Sequence, residues 1–494
     1  MIALGDGTPG SGAVTCGRVP ALRRSGTVHA PSYDPFAALR DGGFRWFAAS
    51  RLCSGAGQTL LQAAVAWQVY QLSGSALQLG LIGLARFLPA LLVSLVAGAV
   101  ADRYDRRRIV MTAELVPVLC AAALMLTTRL GTVGLPLIYA LVFAVALASA
   151  FENPARQALL PQIVPRAIFL NAVTVNSTIQ QLAFVAGPMS GGALIARAGV
   201  QGAYAAVAAL YLGALMSLVP LSPRAEPGER RAVSVAAIVE GLRFVWHRQV
   251  LLGAMTLDMF AVIFGGATAM LPIYAEDILK VGAGGYGLLT SAQGIGALLM
   301  SVVMVLLPPV RRTGWVLLLA VTAYGLATVA FGLSRSFPLS LLLYGLTGAA
   351  DQVSVIMRQT TIQLATPDAL RGRVSSVSSL FIGASNQVGM VESGLVAALT
   401  NATFSVVSGG LGCLAVVAAV AAGMPELRAY RVDAEPAAPG AVDRRTAASV
   451  SLTSDPGDPS PRPAGTPLPQ AGEARRSTGP VPESPRPCRP GKPG

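Results

Sequence analysis

The sequence predicts an all-α membrane protein with twelve transmembrane helices in two six-helix repeats and both termini in the cytoplasm. Three observations carry this expectation. Apolar residues make up 53% of the 494 residues and charged residues only 12%, about half the roughly 25% usual in soluble chains. The apolar residues fall in runs of about 20, long enough at 1.5 Å per residue to cross a ~30 Å hydrocarbon core. Finally, Pro136, Arg156, Gln157 and Pro165 recur as Pro338, Arg358, Gln359 and Pro367, always at an offset of 202 (358 − 156), and Gly187 and Gly192 recur at that offset as Gly389 and Gly394.

Residues 1–43 are polar and rich in Gly and Pro, hold no apolar run long enough for a signal peptide, and are expected to be disordered. The N-terminal half, 44–221, contains apolar runs at 46–71, 77–100, 109–128, 135–155, 170–196 and 201–221. Residues 222–249 are polar and read as a cytoplasmic loop hinging the halves. The C-terminal half, 250–427, has runs at 250–275, 287–307, 314–333, 338–358, 374–399 and 403–424. Residues 428–494 form a Pro- and Arg-rich tail with almost nothing to bury, expected to be disordered.

Orientation follows from the basic residues between runs. One set of loops holds Arg103, Arg106, Arg107, Arg108, Arg156, Arg166, Arg224, Arg230, Arg231, Arg243, Arg248, Arg311, Arg312, Arg358, Arg371 and Arg373. The alternate set holds Arg129, Arg197, Lys280 and Arg335. The richer set faces the cytoplasm. The net charge of +13 is therefore a topology signal, and no basic, aromatic-laced face is present for nucleic acid.

Several chemistries are excluded. Cys16, Cys53, Cys120, Cys413 and Cys488 form no C-x-x-C pair, and His29 and His247 lie outside the apolar runs, so neither a metal site nor a disulfide framework is expected. No Walker A lysine motif is present. Gly282, Gly284 and Gly287 match G-x-G-x-x-G, but no strand precedes them, and the stretch reads as a flexible hairpin between two runs. No cofactor is expected. The expected partners are a small-molecule substrate, protons and the lipid bilayer, with the chain acting as a monomer.

Two motifs stand out. After the second run the sequence reads GAVADRYDRRR, from Gly98 through Asp102, Arg103, Arg106 and Arg107 to Arg108. A positive-inside loop accounts for the arginines but not for Asp102 and Asp105. The fifth run carries GPMSGG, with Gly187, Pro188, Gly191 and Gly192. Proline removes a helical hydrogen bond and the glycines allow another helix to approach closely, so packing alone is one reading.

The first string resembles G-x-x-x-D-R-x-G-R-R of the major facilitator superfamily, with Asp105 in place of the second glycine. The second resembles G-P-x-x-G-G of its drug:proton antiporters, without the upstream glycines, since Ala183 and Phe184 stand there. The helix 4 arginine that many antiporters use for proton coupling is missing, and Glu152 with Arg156 reads instead as a structural i,i+4 pair. Longer strings, including FENPARQALLPQIVP and DMFAVIFGGATAMLPIYAEDIL, look like the enterobactin-exporter-like branch, which also includes macrolide-efflux and transmembrane secretion effector proteins. This resemblance covers residues 44–427. It implies proton-driven export of a siderophore or hydrophobic small molecule. An importer or lipid flippase on the same fold, or a sensor or scaffold working through the tail, are the alternatives.

Charges inside apolar runs are costly, about 2.5–3.5 kcal/mol each at a helix centre, and so point to function. Asp258 lies amid Leu257, Met259 and Phe260, where a carboxyl can cycle between neutral and charged forms; it is the proton-coupling candidate, permanent pairing being the alternative. Arg51 is near enough to the cytoplasmic end to snorkel. Arg51, Gly55, Gln58 and Gln62 form one polar stripe, and Asn176 and Gln180 a shorter one. Both stripes suit interhelical bonding. In the superfamily helix 1 lines the central cavity, so resemblance favours substrate contact for Gln58, Gln62, Asn176, Gln180 and Asp351. Asp351 lies two turns from Arg358, so an intrahelical role competes. Helices 2 and 11 face each other in the superfamily. This makes Arg86 and Glu392 a candidate latch when the outer side is shut, and Asp102 a cytoplasmic counterpart near Arg371 and Arg373. Pairing of Arg86 and Glu392 within their own halves is the alternative. Deleting everything after Arg431 is expected to leave membrane expression and transport intact, because nothing apolar is lost; loss of either would favour the scaffold reading.

Overall fold

The computed structural model describes residues 37–221, 235–308 and 310–431. Helices account for nearly all of them. The order is α1 (Ala37–Arg40), α2 (Gly42–Ser73), α3 (Ala76–Arg103), α4 (Arg106–Arg129), α5 (Leu135–Ile163), α6 (Phe169–Leu218), α7 (Val235–Trp246), α8 (Gln249–Phe264), α9 (Ala267–Ile273), α10 (Gly282–Leu306), α11 (Thr313–Leu333), α12 (Phe337–Ala365), α13 (Asp368–Leu399), α14 (Ala402–Gly423) and α15 (Pro425–Ala429). A π turn, Tyr274–Ile278, extends α9. Among the described residues, nine helical segments are long and apolar enough to cross a membrane. α2 and α13 are not among them, because each carries a row of polar side chains.

α6 is two helices in one. Gly199 breaks it, with φ 70° and ψ 178°, a backbone conformation open to glycine and strained for other residues. The contacts of α2 show that the chain reverses there. Gly55 packs on Ala183 and Gly57, half a turn later, packs on Tyr211. The two stretches of α6 therefore flank the same part of α2.

The 202-residue repeat is visible in the packing. A Cβ on Gly187 would fall 2.8 Å from the Ala56 carbonyl oxygen of α2, and one on Gly389 would fall 2.8 Å from the Val262 carbonyl oxygen of α8. One turn further on, equivalent glycines join the halves. A Cβ on Gly192 would come within 2.6 Å of the Gly287 Cα of α10, and one on Gly394 within 2.6 Å of the Gly80 Cα of α3. Gly287 is thus a packing residue inside α10, which begins at Gly282. The flexible hairpin expected from the G-x-G-x-x-G match is replaced by a helix start, with the positive φ confined to Lys280 and Gly282 in that stretch.

These crossings lie at one end of the molecule. There, Trp67 of α2 stacks on Tyr286 of α10 with ring centroids 5.3 Å apart. The Tyr70 hydroxyl donates to Asp277 in the π turn, and the Ser291 hydroxyl of α10 donates to the Val185 carbonyl of α6 at 2.9 Å. Further along α13, a Cβ on Gly383 would meet nothing within 4 Å, because this glycine faces the space between the halves. The close backbone crossings are at the Ser73 end.

The segment expected as a polar hinge contains α7. Its Val245 packs with Leu251, Met255, Ile362 and Val374, and Glu240 pairs with Arg373 at the start of α13. Helix also begins earlier than expected, at Ala37, where the Ala38 amide donates to Asn171 Oδ1 at 2.9 Å. Residues 1–36, 222–234 and 432–494, which hold most of the expected N-terminal segment, much of the central loop and the tail, lie outside the described residues.

Gly192→Val would place side-chain atoms where the Gly287 backbone and the Ala283 carbonyl already lie. Overpacking costs about 1–3 kcal/mol, which shifts a two-state closure by roughly 5- to 150-fold. Distances between spin labels at positions 197 and 280 are expected to lengthen in this variant.

Candidate functional site

A central cavity of about 460 Å³ lies between the halves. The N-terminal half contributes Thr59, Gln62, Arg86 and Pro188; the C-terminal half contributes Thr268, Tyr286, Gln293, Tyr324, Asp351, Asn386 and Gln387. A second cavity, of about 200 Å³, shares Gln62, Arg86 and Gln387 and adds Gln58, Ser149 and Asn153. Arg86 and Asp351 are the charged residues lining the two cavities, among the described residues. Drug-sized ligand sites have this combination of apolar wall and a few placed polar groups.

The C-terminal wall is made by a broken helix. Gly265 and Gly266 separate α8 from α9, and both line the larger cavity. The Gly265 carbonyl accepts a hydrogen bond from the Tyr324 hydroxyl of α11 at 3.0 Å. A buried carbonyl freed by a helix break needs such a partner in the membrane. Discontinuous helices beside a binding cavity are a recurring feature of transporters. The adjacent glycines within the seventh run are the sequence signal for this break.

The polar stripes divide between two tasks. Gln58 and Gln62 line the cavities. Arg51 instead donates to Gln180 Oε1 at 2.6 Å, tying α2 to α6. Asn176 and Gln180 are not among the residues lining these two cavities. Gln180 is an interhelical bond, and Asn176 Oδ1 is buried without a hydrogen-bond partner among the described residues. Asp351 lines the larger cavity, and among the described residues it forms no ion pair with Arg358, whose partner is Asp258.

Arg358 pairs with Asp258, Nη1 to Oδ2 at 2.7 Å, and both are almost fully buried. This ion pair joins α8 to α12. The repeat-equivalent Arg156 is equally buried and holds two acids. Its Nε donates to Glu152 Oε1 at 2.9 Å, Nη2 meets Glu114 Oε1, and Nη1 donates to Ser50 at 3.3 Å. Glu114 was not singled out in the sequence, although an acid in the apolar run 109–128 was the available signal.

The structure does not bring Arg86 and Glu392 together, although the halves are closed at the end where that latch was expected. Met390 and Gly394 form the face of α13 that meets α3. Glu392 is two residues from each, about 200° around the helix, and its Oε2 accepts from Ser393 at 3.2 Å. Arg86 lies past the glycine seam, in the cavity wall.

The loop motif acts within the N-terminal half. Asp105, in place of the second glycine of the motif, caps α4 by accepting from the Arg107 amide at 2.9 Å. Arg106 donates to the Ala158 carbonyl at 2.9 Å. Arg107 Nε donates to the Leu218 carbonyl at 2.9 Å, where a cation complements the C-terminal dipole of α6. Arg103 lies over the Tyr104 ring at 6.0 Å. The side chains of Gly98 and Asp102, and with them the cytoplasmic counterpart latch, lie outside the described residues. In the helix 5 motif, Gly187 and Gly191 pack on α2, Gly192 on α10, and Pro188 lines the cavity.

The transmembrane secretion effector family matches residues 33–448. The chain belongs to this family. It is a multi-pass membrane transporter of the major facilitator type, not an enzyme, and resides in the cytoplasmic membrane. It is 29% identical over 400 residues to the multidrug efflux pump Tap of Mycolicibacterium fortuitum, covering 78% of this chain and 96% of that one. It is 26% identical over 376 residues to the enterobactin exporter EntS of Escherichia coli O81 (strain ED1a), covering 75% and 89%. Two solved structures share the fold. A bacterial homolog of the human lysosomal transporter Spinster, in an inward-facing and unoccupied conformation, aligns with TM-score 0.59 at 15% identity over 79% of this chain and 96% of that one. The peptide transporter POT in complex with sulfate aligns with TM-score 0.61 at 12% identity over 81% and 100%.

Replacing Arg156 by Ala strands two carboxylates in a buried site. Removing one partner of a buried pair costs about 3–5 kcal/mol, so Arg156→Ala is expected to lower the thermal unfolding midpoint in detergent markedly. Arg107→Ala, whose loss is confined to carbonyls at a helix end, is expected to lower it far less.

Proposed function

We propose that the chain is a proton-coupled exporter that works by alternating access. The observation that carries this reading is a polar cavity between two repeat-related halves whose backbones cross closely at the Ser73 end. The efflux pump and siderophore exporter among its relatives support the direction of transport. The cargo is a siderophore or a hydrophobic drug-like molecule.

The nine apolar segments become twelve crossings when α2 and α13 are counted and α6 is divided at Gly199. The arginine-rich loops then face the cytoplasm, with both termini. In this orientation the Ser73 end is the outer side, and it is the end at which the halves are packed together. The glycine crossings, the Trp67–Tyr286 stack and the Tyr70–Asp277 bond form its outer gate. The protein works as a monomer, because the cavity is complete within one chain.

Asp258 is the proton-coupling carboxylate in this scheme. A proton arriving on it neutralises the acid and leaves Arg358 without its counterion. Asp351, seven residues before Arg358 on the same face of α12, lines the cavity. Protonation at Asp258 thereby changes the field felt by the cargo, and a ligand or proton shifts the equilibrium only through such differential interactions.

The test uses inside-out vesicles and the compounds that accumulate in cells lacking the protein. Wild-type protein is expected to concentrate them on a pH gradient and to stop when a protonophore is added. Asp258→Asn is expected to retain binding within about threefold and to lose gradient-driven accumulation. A variant that still concentrates the compound would remove Asp258 from the coupling role. Accumulation by the wild type that ignores the protonophore would remove proton coupling altogether.

A further inference from the structure

Arg86 differs from the other arginines buried within the helices. Arg156 and Arg358 are neutralised by carboxylates, and Arg51 is bonded to Gln180. Arg86 has no ion pair or hydrogen bond among the described residues, yet it sits ten residues into α3 and lines both cavities. A guanidinium carries five donors and stays charged in proteins. Holding it inside an apolar helix is costly, and no partner among the described residues offsets that cost. The acid that seemed its natural partner, Glu392, is on the far face of α13. Asp351 shares the larger cavity but forms no ion pair with it.

The surroundings of Arg86 fit a ligand better than a missing protein partner. Gln62 and Gln387 line both cavities with it and offer neutral donors and acceptors. Tyr286, held by its stack on Trp67, lines the larger one. A cation in a low-dielectric pocket that also holds amides and an aromatic ring suits an organic acid. Charge-assisted hydrogen bonds to a planar or tetrahedral oxyanion are the strong ones, and Arg presents two of its donors side by side for them.

We propose that Arg86 is the receptor for an anionic group on the transported molecule, so that the cargo is an amphiphilic organic acid of drug size. This rests on the exporter reading for its meaning, since it names the class of substrate that the central cavity takes. Asp351 then limits the site to one anionic group near Arg86, because a second negative charge deeper in the larger cavity meets a carboxylate.

The experiment uses two fluorophores that differ by one sulfonate, 8-anilinonaphthalene-1-sulfonate and neutral N-phenyl-1-naphthylamine. Binding is measured to the full-length protein in phosphatidylcholine nanodiscs, with protein-free nanodiscs subtracted. The wild type is expected to bind the sulfonate at least tenfold more tightly than the neutral compound. Arg86→Gln is expected to weaken sulfonate binding about tenfold or more and leave the neutral compound unchanged, while Arg86→Lys retains most of the preference. Equal wild-type affinity for the two compounds overturns the proposal, and that measurement does not depend on any variant folding. Parallel loss of both compounds in Arg86→Gln also overturns it, assigning Arg86 to structure. Phosphatidylglycerol added to the nanodiscs is expected to leave the Arg86-dependent component in place; displacement of that component would overturn a soluble acid in favour of a lipid phosphate. Inside-out vesicles separate the two readings. Sulfonate binding through Arg86 without its accumulation would refute export and leave the anion site standing.

Discussion

Two pairs of glycines hold the structure in its present form. Gly192 against Gly287 and Gly80 against Gly394 let backbones of opposite halves come closer than any side chain would permit. Within a bilayer the lipid tails are as apolar as leucine, so helices gain little by burying apolar surface on each other. Close van der Waals contact between small residues supplies the association instead. Because these glycines lie toward one end of each helix, the closest backbone approach is there, and the cavity lined by Arg86 and Asp351 lies beyond the seam.

The two halves use the same arginine position in different ways. Arg156 gathers Glu114, Glu152 and Ser50 into a dense network, whereas Arg358 has one acid, Asp258, and leaves its Nε without a partner. A buried guanidinium needs a counterion in either half. The N-terminal half has an acid to spare and reads as scaffold, steadied further by Arg51 with Gln180. The C-terminal half has the minimum, so loss of one charge at Asp258 alters it most. The helix break follows the same division. α8 and α9 are interrupted at Gly265 and Gly266 beside the cavity, while their repeat counterpart α2 runs unbroken from Gly42 to Ser73.

The membrane class and the boundaries of most helices were legible because a hydrocarbon core demands long apolar runs and leaves little choice of structure. The repeat was legible because Arg156 and Arg358 keep one offset with flanking prolines and glycines. Harder to see was which acid each arginine meets. Glu114 lies far from Arg156 in sequence, and spacing alone offers Arg358 its i,i+7 neighbour Asp351 rather than Asp258, which is distant in the chain. Asn176 and Gln180 share a stripe by spacing, but a stripe has the same spacing whether it faces a cavity or another helix. Arg86 and Glu392 were matched by depth alone, and depth says nothing about which side of a helix a residue occupies.

What is local or periodic can be read along the chain: the apolar runs, the alternation of arginine-rich and arginine-poor loops, the internal repeat, and the glycines able to accept a close neighbour. The pairings across helices, the break between α8 and α9, the packing at the Ser73 end and the turning of Arg86 into the cavity emerge only once the helices are assembled. Burial in lipid constrains each helix separately, through its own composition, whereas the partner of a buried charge depends on the rotation of two helices about their axes. That rotation is set by where small residues on both helices meet, as Gly80 meets Gly394, and no single stretch of sequence contains both sides of such a contact.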